Sequence, residues 1–156
     1  MAYFEHEGCT LHYEQYGHGE PLILIHGLGS SCQDWELQIP VLSRYYRLVV
    51  MDVRGHGRSD KPRERYSIAG FTADLVALIE HLQLPAAHVV GLSMGGMIAF
   101  QLAVDQPQML KSLCIVNSAP EVKVRSADDY WQWAKRWSLA RACEPSPSEH
   151  RRSLRW

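Results

Sequence analysis

The sequence predicts an α/β protein, a mostly parallel sheet flanked by helices. Three observations lead there. Short apolar runs alternate with longer stretches of helical spacing, the rhythm of repeated strand and helix. Residues 21–25 and 47–51 are apolar almost throughout, as strands buried on both faces are. Two of the runs close directly on glycine-bearing turns, His26-Gly27 and Gly91-Leu92-Ser93.

Taken in order, residues 10–16 alternate with period two, as a half-exposed strand does, and Gly17-His18-Gly19 turns the chain. Strand 21–25 ends at His26-Gly27. A helical stretch covers 34–45, interrupted or bent at Pro40. Strand 47–51 closes at Asp52. Ser67 caps a helix in which Ile68, Phe71, Leu75, Leu78, Ile79 and Leu82 recur at three- and four-residue spacing, stopped by Pro85. His88, Val89 and Val90 form a strand that runs into Gly91-Leu92-Ser93. Helix 94–104 follows, ended near Pro107, and 112–116 is a final strand. Beyond Pro120 the pattern changes. Tyr130, Trp131, Trp133 and Trp137 make an aromatic patch on a helix, read either as plain packing or as the start of a cap over an acyl-binding pocket. After Cys143 no periodicity remains, and 144–156 reads as a disordered tail. The expected division is thus a core over 1–120, the start of a helical cap over 121–143, and that tail.

Composition narrows the function. With 156 residues, 46% of them hydrophobic, the chain suits one compact domain. Lys and Arg total 16 against 17 Asp and Glu, a net charge of -1, so neither nucleic acid nor an anionic membrane is the expected partner. The 4 cysteines are scattered, with no C-x-x-C pair, so no metal site or disulfide framework is expected. The N-terminus lacks the pattern of a signal peptide, and no apolar run approaches the roughly 20 residues that span a bilayer. A cytoplasmic, soluble protein is expected.

The chemistry centres on Ser93 in Gly91-Leu92-Ser93-Met94-Gly95. A serine hydroxyl is a weak nucleophile and must face a base and a substrate together. The G-x-S-x-G pattern achieves this by setting the serine on a sharp strand-to-helix corner. Gly91, Gly95 and Gly96 are the turn-forming residues, where larger side chains would collide. The helix that starts at Met94 turns its N–H groups and positive end toward a developing oxyanion.

On these residues the chain resembles the α/β-hydrolase superfamily across roughly residues 10 to 120. His26-Gly27-Leu28-Gly29 looks like the loop that follows the third strand in that family. Asp52-Val53-Arg54-Gly55-His56-Gly57-Arg58-Ser59 is similar to its D-x-R-G-x-G-x-S turn. The resemblance implies Ser93 as nucleophile, with the backbone N–H groups of Leu28 and Met94 as the oxyanion hole. It implies a serine hydrolase of carboxylic esters or lactones, working through an acyl-enzyme without metal or organic cofactor on a small acyl or ester substrate. Smaller esterases, enol-lactonases and carbon–carbon bond hydrolases are the nearest kinds. Haloalkane dehalogenases, whose nucleophile is Asp, are disfavoured. His26 is expected to fix its own loop rather than act as a base, and Asp52 to Ser59 to form a structural turn.

In that family the acid and the histidine follow the nucleophile. Here Glu121 is the candidate acid, more simply read as a solvated loop carboxylate, and His150 is the one histidine after Ser93. The α/β-hydrolase-type sheet is therefore expected to be incomplete, its last strands missing, as in a fragment or frameshift product. Strand 112–116 would then be an open edge through which copies self-associate. The chain alone is expected to be weak or inactive, because losing a triad member costs on the order of 10⁴ to 10⁶ in kcat. Two rivals stand beside the hydrolase: an inactive scaffold of the same fold, and a dinucleotide-binding oxidoreductase built on Gly27-x-Gly29 and Asp52. The latter finds Cys32 where glycine or alanine is wanted.

Overall fold

A computed structural model describes residues 2–63 and 65–120, together with Ser126, Asp128, Trp131 and Lys135. Residues up to 120 belong to one compact unit, Met1–Val122. Its strands are β1 (Ala2–His6), β2 (Cys9–Tyr16), β3 (Glu20–Ile25), β4 (Tyr46–Met51), β5 (Ala87–Leu92) and β6 (Leu110–Val116). The helices are α1 (Ile39–Leu42), α2 (Ile68–His81) and α3 (Met94–Asp105), with 3₁₀ turns at Cys32–Trp35 and Pro107–Met109.

The strands form one sheet in the order β1-β2-β4-β3-β5-β6. β1 and β2 are antiparallel to their neighbours, whereas β4, β3, β5 and β6 run parallel. The continuous apolar runs have the predicted consequence. Ile23, Ile25, Val49 and Met51 pack with Phe71, Leu75, Leu78, Ile98 and Leu102 of α2 and α3, while Leu22, Leu24, Leu48 and Val50 pack with Cys32 and Trp35 on the other face. Burying both faces removes apolar surface from water twice over, which is why these strands need no polar alternation.

Three local expectations change. The N-terminal residues form a strand, β1, that sequence reading did not place; Glu7 (φ 48°) and Gly8 (φ 72°) make the tight turn into β2. The helical stretch over 34–45 is a 3₁₀ turn followed by a four-residue helix, and Pro40 sits in the first turn of that helix instead of bending a longer one. Helix α2 does begin at Ser67, whose Oγ accepts the Gly70 N–H at 3.0 Å. It ends four residues before Pro85, however. Gln83 takes φ 53° and donates to Glu80 O, and Leu84 donates to Ile79 O, closing the helix by a left-handed cap.

Strand β6 is an edge of the described sheet, and along it Lys111, Ser112, Cys114 and Val116 are exposed. Of the aromatic patch, Trp131 is helical and exposed, while Tyr130, Trp133 and Trp137 lie outside the described residues. So do Glu121, His150 and the whole of 144–156.

Candidate active site

Parallel strands β3 and β5 are neighbours, although the chain visits β4 between them. Where a sheet reverses its order in this way, a crevice opens beyond the strand ends. Register pairs Ile25 with Gly91, so the loop leaving β3 and the turn leaving β5 emerge side by side. A methyl placed on Gly27 would lie 3.5 Å from the Ser93 Cβ.

Ser93 is the residue between β5 and α3, at φ 51° and ψ -111°. Left-handed backbone at a non-glycine residue costs on the order of 1–3 kcal/mol and persists only where its surroundings enforce it. Here they do. The Ser93 N–H donates to Val116 O of β6 at 2.9 Å, and the Ser93 carbonyl accepts the Gly96 N–H at 2.9 Å. The glycines on either side supply room. A Cβ on Gly91 would stand 2.3 Å from Gly95 O, one on Gly95 2.3 Å from Ile25 O, and one on Gly96 2.5 Å from the Ser118 Cβ. Backbone thus packs on backbone across the corner, and the positive φ falls on the serine itself.

Met94 opens α3, so its N–H has no acceptor within the helix. Leu28 is half-buried in the loop beyond β3, its side chain packed on the α2–α3 core, and Gly29 at φ 72° turns the chain after it. Of these elements, the loop beyond β3 reaches the serine corner at Gly27.

The neighbouring titratable groups are occupied in holding the loops. His26 Nε2 accepts the Val53 N–H at 3.0 Å, which leaves the ring proton on Nδ1 to donate to Gly27 O at 2.7 Å. Burial pushes this ring down to about 4, so it is neutral near pH 7. Both nitrogens are engaged, and His26 fixes its loop as expected. Asp52 is buried. Its Oδ1 accepts the Cys32 N–H at 2.7 Å, and its Oδ2 accepts the Arg58 N–H and faces His12 Nδ1, both at 2.9 Å. Burial alone would raise the Asp52 carboxyl, but these donors together hold it well below the usual carboxylate range. Ser59 Oγ donates to Asp52 O at 2.6 Å, and Arg54 forks onto Asp74 of α2 at 2.9 and 2.7 Å. The 52–59 segment is a structural turn, as expected. With every donor around Asp52 coming from the protein, the carboxylate is not presented to a ribose, and the dinucleotide reading loses its acid. Among the described residues no histidine hydrogen-bonds Ser93.

Sequence reading missed the Val116 carbonyl that anchors Ser93, because a backbone acceptor on another strand leaves no side-chain signal. It also missed the part played by Cys32, whose N–H ties the loop beyond β3 to Asp52.

Comparison with known proteins agrees with this geometry. The profile of a family described as alpha/beta hydrolase fold matches residues 20–151. 3-Oxoadipate enol-lactonase 2 of Acinetobacter baylyi is 31% identical over 152 residues, covering 96% of this chain and 55% of that protein. The soluble epoxide hydrolase of a Corynebacterium species is 31% identical over 123 residues, covering 79% of this chain and 43% of that protein. A solved N-acyl homoserine lactone degrading enzyme is 38% identical with a TM-score of 0.73, covering 75% of this chain and 45% of its own. The chain spans about half the length of the curated relatives it matches.

Proposed function

Because the chain belongs to the alpha/beta hydrolase fold family, we propose that it carries the nucleophile and oxyanion hole of a serine hydrolase of carboxylic esters or lactones. Ser93 Oγ attacks the carbonyl carbon of a small acyl substrate, and the carbonyl oxygen becomes an oxyanion held by the N–H groups of Leu28 and Met94. The serine proton passes to a base, which gives it to the leaving oxygen as the C–O bond breaks. The base then takes a proton from the water that attacks acyl-Ser93 and returns it to the serine oxygen. No step requires a metal or an organic cofactor.

The single observation that carries this reading is the left-handed backbone of Ser93 at the β5–α3 corner, with Gly91 and Gly95 in backbone contact beneath it. Relatives named for lactones and for an epoxide agree on hydrolysis and differ in the bond cleaved; a serine at this corner favours acyl chemistry. A fluorophosphonate probe tests it. Labelling of the chain that disappears in Ser93→Ala supports an activated serine, and wild-type labelling in Ser93→Ala refutes it. A second reading, an inactive scaffold of the same fold, is favoured by the lack of any described histidine on Ser93. It predicts no labelling and no ester turnover. The same proposal takes β6, the edge of the described sheet, as the surface for a second copy of the chain.

A further inference from the structure

On the opposite side of the sheet from α2 and α3, three side chains far apart in sequence converge. His12 and Glu14 extend from β2, and Cys32 enters from the loop beyond β3. One donor atom from each lies within 4.8 Å of the other two. His12 is fully buried, with 0% of its side chain exposed, and its Nε2 has no hydrogen-bond partner among the described residues. A buried ring nitrogen without a partner forfeits its hydration and gains nothing in return. From these residues we propose a site for a divalent zinc-like cation, held by His12 Nε2, Glu14 Oε1 and Cys32 Sγ.

Geometry and chemistry support it independently. Zinc takes imidazole nitrogen, carboxylate oxygen and thiolate sulfur at about 2.0–2.3 Å, so two ligands of a tetrahedral site stand about 3.5 Å apart. His12 Nε2 and Glu14 Oε1 are 3.5 Å apart, the separation of two such ligands. Asp52 faces His12 Nδ1 at 2.9 Å; a proton there aims the Nε2 lone pair at the site, the arrangement in which a carboxylate orients a metal-binding histidine. The same Asp52 fixes the Cys32 backbone, so one carboxylate sets two of the three donors. Cys32 Sγ is one of the three and loses its proton to solvent on binding, as a coordinating thiol must. Arg58 Nη1 now donates to Glu14 Oε1 at 2.8 Å; its side chain is 44% exposed, so an arriving cation displaces it into water. Tyr16 donates to the other oxygen, Oε2, and holds the carboxylate in place. Three protein ligands leave the fourth position for water.

The consequence lies next to the serine. Cys32 follows Leu28 by four residues, so a cation here would clamp the loop beyond β3 onto β2. No local metal-binding spacing marks these donors, since Cys32 lies 18 or more residues from the pair on β2.

Cobalt and zinc titration of the intact, tag-free chain provides the test. One Co²⁺ per chain is expected, with a near-ultraviolet thiolate-to-cobalt charge-transfer band that Zn²⁺ displaces and with proton release on binding. Zn²⁺ also raises the thermal midpoint. His12→Gln and Cys32→Ser each weaken binding at least tenfold, whereas Cys114→Ser, on exposed β6, leaves it unchanged. Absence of the band in the wild-type chain overturns the proposal whether or not the variants fold. So does a band that survives Cys32→Ser or vanishes with Cys114→Ser.

Discussion

Adding one methyl group at Gly95 tests how closely the serine corner is packed. In Gly95→Ala the new Cβ would meet Ile25 O at 2.3 Å and His26 O at 2.8 Å, both backbone atoms. Contact between carbon and oxygen is comfortable only near 3.3 Å or beyond, so α3 and β3 must separate by roughly 1 Å. Neither can yield locally. Ile25 is paired on both sides within the sheet, and α3 is pressed on the sheet by Ile98 and Leu102. Overpacking of this kind costs about 1–3 kcal/mol. A displacement of about 1 Å between a nucleophile and the groups that stabilise its transition state costs on the order of 10²-fold in rate. Urea denaturation measures the first effect, and the rate of fluorophosphonate labelling at Ser93 the second. Gly27→Ala is the companion variant. Its Cβ meets only the Ser93 Cβ at 3.5 Å and Leu92 O at 3.6 Å, ordinary contact distances, so it should keep its stability. Wild-type stability and labelling in Gly95→Ala would refute the claim that backbone contact, and not the helix alone, places the serine.

Three other outcomes are expected. Ser93→Gly removes the strain of φ 51° and should raise stability by about 1 kcal/mol after allowance for glycine's chain entropy, seen as a higher urea midpoint, while labelling disappears. His26 takes up a proton near its ordinary 6.5 in the unfolded chain but only at about 4 when folded, so its contribution is full above pH 6.5 and is lost as pH falls toward 4. The loss amounts to about 3 kcal/mol, and a urea midpoint in His26→Gln that falls with pH as steeply as the wild type excludes it. Finally, the chain should self-associate with rising concentration in light scattering. Cys114→Lys, which sets a charge on exposed β6, should shift it toward monomer; unchanged mass would argue against the edge as the contact.

The fold was legible where burial writes itself into the chain. Continuous apolar strands, the spaced apolar face of α2 and its Ser67 cap are local signals, and all three have their predicted effect. Strand β1 was not legible, because Tyr3, Phe4 and Glu5 form a strand only by pairing with β2, and pairing is not a property of the segment itself. The short α1 was overread because residues 34–45 carry helical composition around a proline whose place in the first turn is decided by tertiary contacts. At the site, the serine, its glycines and the Leu28 loop could be named because close backbone approach demands particular residue types. Asp52 could be located but its partners could not, since Cys32 and His12 reach it from 20 and 40 residues away.

Those long-range partners explain how the Leu28 loop comes to rest beside Ser93. Strand register delivers only its first residue, His26, one step beyond the Ile25–Gly91 pair. From there the loop is held at both ends by the turn after β4. Its start is fixed when His26 Nε2 accepts the Val53 N–H, and its end when Asp52 accepts the Cys32 N–H. Both bonds are buried, so breaking either leaves an unpaired polar group and costs about 1–3 kcal/mol. Gly57, at φ 50°, is what lets that turn close, because a Cβ there would stand 2.3 Å from the Asp52 carboxyl carbon. The 52–59 segment therefore acts on the serine corner at a distance, by setting where the loop beyond β3 can lie.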